Sequence, residues 1–130
     1  MPKILYSPAS PFAAKARMSA AHAGYAFESV LTKTDEVPAD LIAANPLGKI
    51  PALVTDEGKG VFDSKVIIQF LNRATGGKLL PKNADKRLEA EMLESLADGI
   101  CDCAIACIYE RRQRPEDKQY QPWIDKQWAK

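Results

Sequence analysis

The chain has 130 residues, enough for one ordinary domain, or for a small domain and part of another. Hydrophobic residues make up 46% and charged residues 27%, a balance that fills a packed core and excludes a disordered chain. Lys and Arg total 18 against 17 Asp and Glu, a net charge of +1, which removes the electrostatic case for nucleic acid.

Residues 3–7 (Lys-Ile-Leu-Tyr-Ser) predict a short strand that leaves into a turn at Pro8. Ser10 followed by Pro11 is a helix-start signal. The serine oxygen can accept a free N–H of the first turn, and proline at the first helical position lacks only an N–H that would have no partner there. The helix runs on through Ala13, Ala16, Met18 and Ala20 and stops at Gly24. Residues 26–32 alternate in part and predict a second strand, which makes a βαβ unit. Residues 38–44 predict a weak, short helix ending before Asn45 and Pro46. Residues 52–55 predict a third strand, residues 56–60 a hairpin turn, and Val61 with Phe62 a fourth strand. Ser64 is expected to cap a helix carrying Val66, Ile67, Phe70 and Leu71, which ends at Gly76 and Gly77.

Three segments follow from this order: a domain over 1–77, a linker over 78–84 containing Pro81, and an all-helical part over 85–130. A long amphipathic helix is expected from residue 84 to about 112. Leu88, Met92, Leu96 and Ile100 recur every four residues, and Leu93 and Cys103 widen the stripe. Arg111, Arg112 and Arg114 sit where positive charge suits the C-terminal end of a helix, and Pro115 breaks it. A further helix begins near residue 122. So wide an apolar stripe needs partner helices, so either more chain or a second subunit is expected to cover it.

No apolar run approaches the roughly 20 residues of a membrane helix. Met1, Pro2 and Lys3 lead straight into a strand, so no signal peptide is expected. Cys101, Cys103 and Cys107 fall in one helical stretch. Cys103 and Cys107 share a face at i,i+4, but no His or further Cys lies near to complete a metal site. They read as small buried apolar residues, and their odd number without a disulfide framework fits a reducing cytosol. His22 has no partner motif, Arg17 reads as a structural pairing residue, and Trp123 and Trp128 read as packing.

Three motifs sharpen the picture. They are the run from Ser7 through Ser10, Pro11 and Phe12 to Arg17; the run Asn45-Pro46-Leu47-Gly48-Lys49-Ile50-Pro51-Ala52-Leu53; and the run Phe62-Asp63-Ser64-Lys65-Val66-Ile67. In this order and spacing they resemble the N-terminal domain of glutathione S-transferases, especially bacterial serine-type members. The resemblance covers residues 3 to about 77 closely, and the linker and long helix continue it. It implies a thioredoxin-like α/β domain (βαβ-ββα, with a mixed four-stranded sheet) followed by a partial all-α domain. It also implies an enzyme that activates the glutathione thiol for attack on small hydrophobic electrophiles. Glutathione would be co-substrate, with no metal and no membrane, in a cytoplasmic homodimer serving detoxification.

The chemistry asks for a thiolate, because the thiol itself is a poor nucleophile. A free thiol near pKa 8.5 is mostly protonated at neutral pH, and a hydroxyl donor at a helix N-terminus favours the anion. On the resemblance, Ser10 is that donor. Tyr6, at the end of the first strand, is the alternative, since other transferase classes use a tyrosine there. The related glutaredoxins carry a Cys-Pro-aromatic-Cys motif. Here the matching run is Ser10-Pro11-Phe12-Ala13, which argues against disulfide exchange. The resemblance further nominates Ile50 and Pro51, the latter as a cis-proline, to present backbone groups to the cysteinyl part of the ligand. Asp63 and Ser64 correspond to the family's acid-serine pair for the γ-glutamyl end. Lys49 is a candidate for the glycyl carboxylate, and Phe12 for the border of the electrophile pocket. Other readings remain open at this point: a binding module without turnover, a glutathione-dependent peroxidase or reductase, or a regulatory partner derived from a transferase.

Overall fold

The computed structural model describes residues 1–130, which form two compact units, Met1–Asn83 and Ala84–Lys130. In the first unit, strands β1 (Lys3–Tyr6), β2 (Glu28–Leu31), β3 (Ala52–Val54) and β4 (Gly60–Phe62) make one sheet in the order β2-β1-β3-β4. β1 and β2 pair in parallel, while β1 with β3 and β3 with β4 pair antiparallel. Helices α1 (Pro11–Ala23), α2 (Ala39–Ala44) and α3 (Ser64–Ala74) complete a thioredoxin-like fold.

The parallel pair needs a crossover, and α1 provides it. Its inward face is made of alanines: Ala13, Ala16, Ala20 and Ala23 are all buried. Small side chains let the helix lie close to the sheet and to α3. Ile4, Leu53, Ile67 and Leu71 fill the space between them, with Tyr25, Phe27, Phe70 and Leu79 closing the margin. A second, smaller cluster joins Leu5, Ala52, Leu41 and Ala44 beneath α2.

The ends of α1 follow the sequence signals. Ser10 is extended and its Oγ accepts from the Ala13 N–H (3.1 Å). Gly24 closes the helix in the left-handed region at φ 73°. There the Lys78 ammonium donates to the Ala23 carbonyl (3.1 Å), an oxygen that has no helical partner. The start of α3 differs from expectation. Asp63, not Ser64, is the cap: its Oδ1 accepts from the Lys65 N–H (2.9 Å), and Ser64 is already the first helical residue. Strand edges also shift, because β1 stops at Tyr6 and β2 begins at Glu28.

The second unit is α4 (Ala84–Gln113), a 3₁₀ turn over Glu116–Lys118 and α5 (Gln121–Trp128). The Gln119 amide donates to the carbonyl of Arg111 (3.2 Å), in the last turn of α4, and to that of Arg114 (3.1 Å), just ahead of Pro115 where the chain turns. Glu110 holds Arg114 at 3.0 Å and accepts the Tyr120 N–H. α5 packs Ile124 against Cys107, whose thiol donates weakly to the Ile124 carbonyl (3.7 Å). Only Cys107 of the three cysteines is buried; Cys101 and Cys103 are half-buried. The predicted stripe of Leu88, Met92, Leu96 and Ile100 stays more than half exposed along α4. No helix is long and apolar enough to cross a membrane.

Candidate functional site

The strand register decides which residues meet. Leu5 stands opposite Ala52, and Ala52 opposite Phe62. One step further along that row come Tyr6, Pro51 and Asp63. The C-terminal ends of β1 and β4 and the N-terminal end of β3 therefore open onto one end of the sheet. The three sequence motifs, far apart along the chain, are gathered there: Ser10 after β1, Ile50 before β3, and Asp63 with Ser64 after β4.

Ser10 reaches this end through a tight turn in which its N–H donates to the Ser7 carbonyl (3.1 Å). Its Oγ accepts one hydrogen bond, from Ala13, at the positive end of a 13-residue helix. A serine hydroxyl carries a donor hydrogen besides its acceptor lone pairs. Capping therefore uses the oxygen and leaves the O–H to donate to an anion. Pro11 contributes no N–H at this terminus, so the serine hydroxyl supplies the donor that proline lacks. Phe12 follows on the first turn and is half-buried.

Tyr6 is placed differently. The Arg17 guanidinium lies 4.0 Å from the centroid of its ring, and Arg17 Nε donates to Ser29 Oγ (3.1 Å). One ring face is thus covered by a cation from α1.

The loop from Asn45 to Pro51 carries the second motif. The Ile50–Pro51 peptide bond is cis. Ile50 is half-buried, Pro51 is buried, and Lys49 is exposed. Gly48, at φ 62°, is a position where a side chain would be strained. Asn45 is 3% exposed, and the sequence places it in the motif without giving its side chain a role. Its side chain bonds the Lys49 carbonyl (2.8 Å) and the Leu47 N–H (3.1 Å). An asparagine ahead of proline reads simply as a turn residue, and nothing in the spacing marks its side chain as buried.

At the third motif, Asp63 has φ 68° and ψ 125°, outside the comfortable regions for a residue with a Cβ. Such a conformation costs on the order of 1–3 kcal/mol, and its usual home is a functional site. It turns the chain from β4 into α3 and buries Ser64 (7% exposed) at the first helical position. The free N–H groups of this helix start are suited to a carboxylate. No group of three or more His, Cys, Asp or Glu side chains is placed to hold a metal.

Taken together, this end of the sheet offers a hydroxyl donor on one helix start, an exposed ammonium and a backbone edge on the middle loop, and a second helix start with an acid beside it. A small, extended ligand carrying several charges suits such an arrangement.

Comparison with known proteins points the same way. Residues 9–74 match the family model for the glutathione S-transferase N-terminal domain. The chain is 32% identical over 118 residues to the uncharacterized GST-like protein YibF of Escherichia coli (strain K12), covering 90% of this chain and 58% of that one. Among solved structures it matches a glutathione S-transferase of Methylobacillus flagellatus KT with glutathione bound. There the TM-score is 0.92 at 36% identity, covering 99% of this chain and 64% of that one. It also matches a glutathione S-transferase of Methylobacterium radiotolerans JCM 2831 in complex with glutathione sulfonate (TM-score 0.89, 34% identity, 97% of this chain and 59% of that one). The chain thus spans about three fifths of the length of these relatives.

Proposed function

Because the chain belongs to the glutathione S-transferase family, we propose that it is the glutathione-activating portion of a transferase that conjugates the tripeptide to small hydrophobic electrophiles. In this reading Ser10 stabilises the thiolate. Its Oγ–H donates to the sulfur as the proton leaves, and the positive end of α1 adds to the field. Neither group needs to act as a base, since lowering the thiol pKa below about 8.5 is enough to raise the thiolate fraction at neutral pH. The Ile50 backbone pairs with the cysteinyl residue as an added strand would. Ser64 and the α3 N–H groups receive the γ-glutamyl carboxylate, Asp63 its ammonium, Lys49 the glycyl carboxylate, and Phe12 borders the electrophile.

In this reading the exposed stripe of α4 makes contacts in a homodimer or with further helices. The reducing cytosol suits three free cysteines, and detoxification is the physiological role this chemistry serves.

The observation that carries the reading is the Ser10 cap: an N-terminal hydroxyl whose oxygen is already engaged by Ala13 and whose hydrogen is left to donate. The test is a pH titration of glutathione mixed with the protein, following thiolate absorbance. The bound thiol should ionise below the free thiol's pKa, and the Ser10→Ala protein should return it towards the free value. Binding with no shift in the wild-type protein would reduce the site to a binding module.

A further inference from the structure

Asn45 has every polar group it needs engaged while 3% exposed. Its N–H donates to the Leu41 carbonyl (2.8 Å) and its carbonyl accepts from the Gly48 N–H (2.8 Å). Its Oδ1 accepts from the Leu47 N–H (3.1 Å), and its Nδ2 donates to the Lys49 carbonyl (2.8 Å). The first of these ends α2, and the next two close the turn that follows it. The fourth does something else, because the Lys49 carbonyl and the Ile50 N–H belong to one peptide group.

A peptide unit is planar, and this one is trans. Holding its oxygen therefore fixes the direction of its hydrogen, on the opposite side of the plane. A hydrogen bond received at the carbonyl also polarises the unit and strengthens the N–H as a donor. The Ile50 N–H is the group to which the proposed function gives the cysteinyl backbone of glutathione. We propose that Asn45 is a positioning residue for glutathione: from behind the loop, it aims and polarises the Ile50 N–H. This inference rests on the glutathione reading and deepens it, since it names the residue on which recognition of the ligand's middle peptide depends.

No other group in the loop can take over. Gly48 has no side chain, and the Lys49 and Leu47 side chains are exposed. Loss of the Asn45 amide would remove the partner of the Lys49 carbonyl, and the loop would gain freedom where the ligand needs it fixed.

The experiment is a glutathione titration of ¹⁵N-labelled protein, following the Ile50 and Ser64 amide resonances. Both should move in the wild-type chain. In Asn45→Ala the dissociation constant should rise about tenfold, the loss of one well-placed hydrogen bond. The Ile50 shift should collapse while the Ser64 shift persists at saturating ligand. Should Asn45→Ala fail to fold, Asn45→Asp is read in the same way. It keeps an acceptor for Leu47 and, read at alkaline pH where burial no longer keeps the carboxyl protonated, cannot donate to Lys49. A folded variant with wild-type affinity and an intact Ile50 shift overturns the proposal. Equal loss at Ile50 and Ser64 overturns it too, since Asn45 would then be only scaffold. If the wild-type resonances do not move at all, the failure lies in the glutathione reading itself.

Discussion

The Arg17 guanidinium lies 4.0 Å from the centre of the Tyr6 ring while its Nε is bonded to Ser29, so one arginine ties α1, β1 and β2 together. A cation over an aromatic face at a partly exposed site is worth about 0.5–1 kcal/mol. The contact uses the ring and not the hydroxyl. Tyr6→Phe should therefore change stability by less than about 0.5 kcal/mol and leave the conjugation rate within about twofold of wild type. Arg17→Ala should cost about 1 kcal/mol in urea denaturation. A large loss of turnover in Tyr6→Phe would return the catalytic role to the tyrosine.

Capping and catalysis at Ser10 can be separated by charge. Ser10→Ala removes both the Ala13 bond and the donor, at about 1 kcal/mol of stability and about 100-fold in kcat/KM towards a chlorodinitrobenzene. Ser10→Asp still caps, so stability should stay near wild type. Its carboxylate repels a neighbouring thiolate, and activity should fall at least as far as in the alanine variant. If Ser10→Asp keeps both stability and rate, the serine is a cap and nothing more.

These two residues also show how far the sequence could be read. The punctuation by Pro8, Pro11, Gly24, Pro46 and Gly76 laid out the order of elements, because proline and glycine act locally. Local signals cannot resolve a one-residue choice of cap, and the φ of Asp63 settled it in favour of Asp63 over Ser64. Nor could they reveal that Arg17 reaches a serine 12 residues away, or that Asn45 turns inward to Lys49. Those contacts exist only once the sheet has brought the loops together. The apolar stripe of α4 was legible as periodicity, and a single chain carries no statement of what covers it.

Alkaline pH should act through Tyr25. Its phenol is half-buried edge-on to Phe70, with ring centres 6.0 Å apart and planes at 82°. Burial first, then the carboxylates of Asp56 and Glu57, raise its pKa above the ordinary 10.0. The folded protein thus holds this proton more tightly than the unfolded chain does. The associated stability is complete below pH 10.0 and is lost as pH rises through that value towards the higher folded one. Tyr25→Phe keeps the ring contact and removes the titration. Melting curves over roughly pH 8 to 11 should show wild type losing ground to the variant only in the alkaline range. A difference between the two that is independent of pH would contradict this assignment.

Gly60 bears on the site from behind. A methyl group placed there would collide with the backbone of Ala44, meeting its carbonyl oxygen closest, then its Cα at 2.8 Å and its carbonyl carbon at 2.9 Å. Backbone cannot swing aside as a side chain can, so β4 and the end of α2 would have to part. Gly60→Ala should cost about 3 kcal/mol. Gly58→Ala, at φ 79° in open space, should cost only the left-handed penalty of about 1 kcal/mol. The larger effect should also reach the ligand, because Ala44 is the last residue of α2 and Asn45 follows it directly. Moving α2 off β4 moves the asparagine that holds the Lys49 carbonyl. Under conditions where Gly60→Ala is fully folded, glutathione affinity should drop together with stability, while Gly58→Ala should bind as wild type does. Unchanged affinity in folded Gly60→Ala would mean that the loop keeps its shape independently of the helix that leads into it.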